Sequence, residues 1–110
     1  MTRSLSELKS EVDDADALLT AAISEGIAAF VDSPGNQAIV DWRIYRIAEW
    51  SRQLPATEQD RVPSVDWVSF VRLRVLLAHH FHTIKPELMF VYAAMQVPKL
   101  QHALGGVDNT

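Results

Sequence analysis

The chain has 110 residues, about one ordinary domain, and its 48% hydrophobic and 22% charged residues are typical of a globular protein rather than a disordered one. It contains no cysteine, which excludes disulfide bonds and thiolate chemistry. Its net charge of −4 argues against a general nucleic-acid coat protein.

The charges are unevenly distributed along the chain. Residues 1–66 contain six Lys or Arg against twelve Asp or Glu, whereas residues 67–104 contain four basic residues, one acidic residue and all four histidines. One interpretation is that these charges form a solvated surface without a specific function. The functional interpretation is that an anionic substrate binds the second half of the chain.

The first predicted helix begins with a capping box, Ser4 to Glu7, in which a hydroxyl and a carboxylate satisfy the first free amides. Apolar residues then recur at steps of three and four, at Leu5, Leu8, Val12, Ala15, Leu19 and Ala22. This spacing predicts one long amphipathic helix that ends near Val31, before the turn-forming residues 32–36.

The second predicted helix begins near Gln37 and aligns Ile39, Trp42 and Glu49, with Tyr45 or Arg46 on the same line. Further apolar residues widen its apolar side: Ala38, Ile44, Ile47 and Ala48. A polar connection from Leu54-Pro55 to Pro63-Ser64 follows.

The third predicted helix extends from Trp67 to about His80 and is capped by Ser64 or Asp66. It has two apolar faces, one formed by Val68, Val71, Val75 and Ala78 and the other by Phe70, Leu73 and Leu77. Two packing neighbours are therefore expected, either from this chain or from a partner.

The fourth predicted helix has Pro86 in its first turn, a kink or restart at Pro98, and a stop at Gly105-Gly106. No strand-like alternation occurs, so the sequence predicts one all-α domain over residues 1–110, a bundle of four or five helices. Residues 1–3 and 105–110 are expected to be flexible tails.

No segment of the sequence is suited to a membrane or to secretion. The longest aliphatic run is Val75–Ala78, against the roughly 20 residues that span a bilayer. The N-terminus turns acidic where a signal peptide needs an apolar stretch. A cytoplasmic protein without a membrane partner is expected.

The candidate site is an arginine–histidine pair, Arg74 and His79, at the end of the third helix. Metal-independent RNA cleavage needs a group that accepts the 2′-hydroxyl proton, and histidine titrates in the right range. It also needs donors for the crowded phosphorane, which a guanidinium supplies. The dipole at a helix C-terminus favours the protonated form of His79.

The spacing leaves the identity of the working arginine open. Residues five apart on an ideal helix point about 140° from each other, whereas Arg72 and His79 lie nearly on one face. The arginine can also come from a second chain. The cluster of His79, His80 and His82 suggests zinc, but it does not offer convergent tetrahedral ligands, so no metal and no cofactor is expected. Arg72, His80 and His82 are expected to help bind the substrate.

The segment from Leu54 to Leu104 resembles the C-terminal half of HepT-like proteins of the HEPN superfamily. The matching positions are Leu54-Pro55, Pro63, Trp67, Leu73-Arg74, His79, Ile84 and Val97-Pro98-Lys99-Leu100. Residues 37–54 resemble the second helix of that family, with Ala48-Glu49 in place of a Gly-Glu pair.

The resemblance implies a helical-bundle homodimer that places two Arg-x(4–6)-His motifs at its seam, a spacing that both Arg74 and Arg72 satisfy with His79. It implies a metal-independent endoribonuclease toxin paired with an MNT-type nucleotidyltransferase antitoxin. In this chain Arg74 would bind the scissile phosphate and His79 would be the acid/base. The alternative is a non-catalytic HEPN module that binds a nucleotidyltransferase partner or RNA.

Three residues depart from the family pattern. Val75 replaces the usual Asn after the arginine and removes a hydrogen-bond donor. Phe81 replaces the tyrosine that the antitoxin is expected to nucleotidylate, and a phenyl ring has no nucleophile. Arg43 replaces an Asn of the second helix and adds a cation near the expected seam. Val75 and Phe81 favour the non-catalytic alternative, whereas Arg74 and His79 favour the enzyme.

Overall fold

The computed structural model describes residues 3–80 and 83–107, and for His80 it describes the backbone alone. All regular structure in these ranges is helical, which confirms the all-α class. The α-helices are α1 (Leu5–Ile23), α2 (Ile27–Val31), α3 (Pro34–Arg52), α4 (Ala56–Gln59), α5 (Trp67–His80), α6 (Pro86–Val91) and α7 (Val97–Leu104). A π-helical turn, Tyr92–Gln96, joins α6 to α7.

Helix α1 begins at the predicted capping box, because Ser4 Oγ accepts from the Glu7 amide at 3.2 Å and Glu7 Oε1 accepts from the Ser4 amide at 3.2 Å. The predicted end near Val31 is wrong, since α1 ends at Ile23. Gly26 adopts a φ of 91°, which favours glycine, and the chain restarts there as α2.

Helix α3 begins at Pro34, three residues before the predicted start at Gln37. Ser33 Oγ accepts from the Asn36 amide at 3.3 Å, and Pro34 occupies the first helical turn, where its missing amide costs nothing. The Gln37 side chain donates to the carbonyls of Phe30 and Val31, which satisfies the end of α2.

Helix α3 is the central element, because it packs along α1 on one flank and along α5 on the other. Helices α2 and α6 also contact α3, while the π-helical turn and α7 contact α1. The largest fully buried side chains lie between these helices: Phe30, Leu5, Leu8, Ile44, Ile47, Leu73, Met89, Leu100 and Leu104.

The C-terminal helices follow the sequence signals closely. Pro86 lies in the first turn of α6, and a new helix begins at Val97 with Pro98 in its first turn. The Val97 amide donates to the Tyr92 carbonyl, five residues back, so the π-helical turn lies where Pro98 interrupts ordinary α-helical pairing. Helix α7 ends at Leu104, before Gly105-Gly106 as predicted.

Arg3, at the inner end of the predicted flexible tail, is bound to the end of α3. Its amide donates to the Gln53 carbonyl at 3.1 Å, and its Nε donates to Gln53 Oε1 at 3.0 Å. Its guanidinium carbon lies 4.1 Å from the centre of the Trp50 ring. None of the helices in the described ranges is long and apolar enough to cross a membrane.

The buried face of α1 gives a test of this packing. Leu8 is 0% exposed, whereas Leu18 on the same helix is 46% exposed. We expect Leu8→Ala to lower the free energy of unfolding by about 2–5 kcal/mol, because it removes buried methyl groups and leaves a cavity. Leu18→Ala should lower it by no more than about 0.5 kcal/mol. Urea unfolding measures both, and equal losses would contradict the placement of α1.

Candidate functional site

Helix α5 carries the predicted site and is fixed at its first turn. Of the two predicted caps, Asp66 is the one used, since its Oδ1 accepts from the Ser69 amide at 3.1 Å. The buried Trp67 indole donates to the carbonyls of Gln59 and Val62, each at 3.1 Å. These two hydrogen bonds therefore fix the connection between α4 and α5 to the first turn of α5.

Among the described residues, only one of the two apolar faces of α5 is covered. Phe70, Leu73 and Leu77 are buried, but Val68 is 61% exposed, Val75 45% and Leu76 42%. These three residues, together with exposed Arg72 and His79, form a stripe that we call the α5 outer face. The steps of three and four residues place all five on the same side of the helix.

Arg72 and His79 lie about 20° apart around an ideal helix, so both point outward from the α5 outer face. Arg74 lies instead on the flank that adjoins α3 and is 26% exposed. The geometry of one helix therefore does not turn Arg74 and His79 toward one point.

Arg74 is held in place by Glu49 of α3. The Nε atom of Arg74 donates to Glu49 Oε1 at 2.7 Å. Its terminal amino groups make no hydrogen bond to any residue in the described ranges. This arrangement fixes the plane of the guanidinium and leaves its outer donors for an anion such as a phosphate.

Glu49 is a shared acceptor, because its carboxylate also accepts from Arg52 at 2.7 Å and from Gln53 at 3.1 Å. These donors, with Arg52 the strongest and Gln53 and Arg74 following, lower the pKa of Glu49 to about 2 against the opposing effect of burial. Glu49 is thus charged at neutral pH. With two arginines around it, the cluster has a net charge of +1.

In the sequence, Glu49 lies on the same helical line as Ile39 and Trp42 and belongs to the Ala48-Glu49 pair that matches the family. Neither pattern predicts its bond to Arg74. The two residues are 25 positions apart and belong to different helices. Helical periodicity describes one helix at a time, so the only signal for this pair was the Ala48-Glu49 match.

The other predicted residues are placed as follows. His79 is exposed in the last turn of α5. His80 is the last residue of α5, and its side chain and the whole of His82 lie outside the described residues. Arg43 is half-buried on α3, and its Nε lacks a hydrogen-bond partner among the described residues. No three described His, Asp or Glu side chains are grouped as metal ligands.

The tryptophans differ in burial. Trp67 is 8% exposed and belongs to the core, whereas Trp42 is 57% exposed on the outer side of α3. Trp42 stacks with Tyr45 at a centroid distance of 6.0 Å and an interplanar angle of 18°.

Comparison of this chain with protein-family models, with curated proteins and with solved structures finds no match.

The pH dependence of stability tests the Glu49 cluster. We expect Glu49→Gln to lower the free energy of unfolding at about pH 7 by about 1–2 kcal/mol, because the charge-assisted bonds are weakened. The pKa of Glu49 is lowered from 4.5 to about 2 on folding, so this stabilisation is complete above about pH 4.5 and is lost as the pH falls toward 2.

Urea unfolding at about pH 7 and about pH 3 therefore should show a large difference between parent and variant that shrinks in acid. The exposed Glu87→Gln is the control and should change stability little at either pH. An equal loss for Glu49→Gln at both values would contradict the cluster.

Proposed function

We propose that this chain is a HepT-like endoribonuclease toxin of the HEPN superfamily that cuts RNA without a metal ion. The observation that carries this proposal is the α5 outer face, where exposed Arg72 and His79 stand among exposed Val68, Val75 and Leu76. An apolar face of this kind favours a partner surface, and a second copy related by two-fold symmetry supplies one. Arg72 and His79 then lie at the seam.

The chemistry follows from the properties of the two side chains. His79 accepts the proton of a ribose 2′-hydroxyl as the oxygen attacks the adjacent phosphorus. The bond from phosphorus to the 5′-oxygen breaks, that oxygen takes up the proton that His79 had accepted, and a 2′,3′-cyclic phosphate remains. Arg74 binds the phosphate and stabilises the negative phosphorane, with Glu49 fixing the plane of its guanidinium.

Arg74 and His79 point apart on one helix, so in this proposal the dimer brings an arginine and a histidine together. Arg74 lies on the flank of α5 and His79 on its outer face, about 140° apart on an ideal helix. In the proposed dimer, Arg74 of one subunit works with His79 of the partner subunit. Arg72, on the same face as His79, binds substrate beside them, as do His80 and His82.

A second candidate is a non-catalytic HEPN module that binds a nucleotidyltransferase or RNA without cutting it. The exposed Val75 favours it, because the position beside the proposed phosphate site holds an apolar side chain. Phe81 leaves no hydroxyl for nucleotidylation, so an MNT-type antitoxin would neutralise this chain by binding alone.

RNA cleavage distinguishes the two candidates. We expect the purified chain to cut total RNA in EDTA, and His79→Ala and Arg74→Ala to lower the rate about 100-fold or more, as expected for loss of an acid/base or of a transition-state donor. His102→Ala, an exposed histidine outside the site, is the matched control and should cut at the parental rate.

Equal cutting by the parent and both site variants would identify a contaminating nuclease and contradict the enzyme. Binding of RNA or of a nucleotidyltransferase without cutting would support the second candidate.

A charged substitution on the α5 outer face tests the dimer seam. We expect the parent to have twice the 12.3 kDa mass of one chain by light scattering. Val75→Glu should give monomers, because it would bury an unpaired carboxylate in the seam. Met95→Glu, at a 62% exposed position on the π-helical turn, is the control and should remain dimeric. A parental monomer, or a dimer unaffected by Val75→Glu, would contradict the proposed seam.

A further inference from the structure

A groove of about 550 Å³ lies between α3 and α5, beside the α5 outer face. Its volume falls in the range of pockets that hold small organic ligands. The lining residues are Ala38, Asp41, Trp42 and Tyr45 of α3 and Leu77 and Ala78 of α5. The ribonuclease mechanism described above uses none of these side chains.

The α3 side of the groove is aromatic. Trp42 is 57% exposed and is stacked with Tyr45. The Arg46 guanidinium carbon lies 6.0 Å from the centre of the Trp42 ring, and Arg46 is itself bound to Glu11 at 2.6 Å. The aromatic pair is therefore supported by neighbours on its own helix. Exposed, supported aromatic rings are the surfaces on which single-stranded RNA bases stack.

The charged group of the groove is the carboxylate of Asp41. It is half-buried, and none of the residues that the structure describes donates a hydrogen bond to it. Burial raises the pKa of Asp41 above its usual value, and no hydrogen bond from the described residues offsets this effect. A ligand that brings hydrogen-bond donors into the groove would stabilise this carboxylate.

The groove is also close to the proposed phosphate site. Arg74 precedes Ala78 by four residues, so the two lie one helical turn, about 5.4 Å, apart on the same flank of α5. A phosphate on Arg74 thus leaves an adjoining base within reach of the groove.

We infer that this groove binds a guanine base of the RNA substrate, stacked against Trp42 and hydrogen-bonded to Asp41. Guanine is the occupant because its Watson–Crick edge presents two adjacent donors, N1–H and N2–H, to the two acceptor oxygens of a carboxylate. Adenine and cytosine place an acceptor beside their amino group, and uracil places a carbonyl on each side of its N–H. This inference rests on the proposed ribonuclease function, which supplies RNA as the ligand.

Mononucleotide binding tests the groove directly. The full chain is titrated with GMP, AMP, CMP and UMP while the indole N–H signal of Trp42 is followed by NMR, assigned with Trp42→Phe. We expect GMP to shift this signal and to bind at least about fivefold more tightly than the others, because it pairs both carboxylate oxygens. Asp41→Asn, which keeps the shape of the side chain, should abolish the preference.

Trp42→Ala should weaken GMP binding about tenfold, since it removes the stacking surface, while Trp42→Phe should retain most of the affinity. Met95→Ala, an exposed apolar residue outside the groove, is the control and should bind as the parent does.

The cleavage assay run in parallel separates this inference from the proposed function. Selective GMP binding without RNA cleavage supports the guanine site and contradicts the ribonuclease. Cleavage with no shift of Trp42, or with equal binding of all four nucleotides, overturns the guanine site alone. A dimer that dissociates on Trp42→Ala and does not respond to GMP would show that a second copy covers the groove, which also overturns it.

Discussion

The contact on which the candidate site depends is the ion pair between Glu49 and Arg74. It joins α3 to α5 at 2.7 Å and sets the position of the arginine proposed to bind phosphate. Because Glu49 also accepts from Arg52 and Gln53, its carboxylate is itself fixed. The guanidinium fixed by this pair lies one helical turn from the groove that Ala78, Asp41 and Trp42 line.

On its other flank α3 is joined to α1 by a second ion pair, in which Arg46 donates to both oxygens of Glu11. Glu11 is only 4% exposed, so the loss of either partner would leave a costly buried charge. Between these two pairs the inner side of α3 is apolar and buried, at Val40, Ile44 and Ile47. The helix is thereby held in one register, and its outer side, with exposed Trp42, is available to contact a partner or a ligand.

Local signals predicted much of this fold. The bounds of α5, the capping box of α1 and the restart at Pro98 depend on residues within one or two turns, and all were predicted correctly. The break at Gly26 was missed because the apolar spacing continues in phase to the buried Phe30. The early start of α3 was missed because Ser33 and Pro34, typical turn residues, also suit a helix N-terminus. The Glu49–Arg74 bond and the exposure of Trp42 depend on how helices pack, which periodicity within one helix does not describe.

In the proposed dimer, Arg74, on the flank of α5 that adjoins α3, works with His79 of the partner subunit. Mixing the two inactive variants, Arg74→Ala and His79→Ala, after unfolding and refolding tests it directly. In a shared site each mixed dimer keeps one intact pair, so cleavage should return to about one quarter of the parental rate, as half of the dimers are mixed. If both residues act within one chain, every site in the mixture is defective. No recovery of activity would therefore contradict the claim.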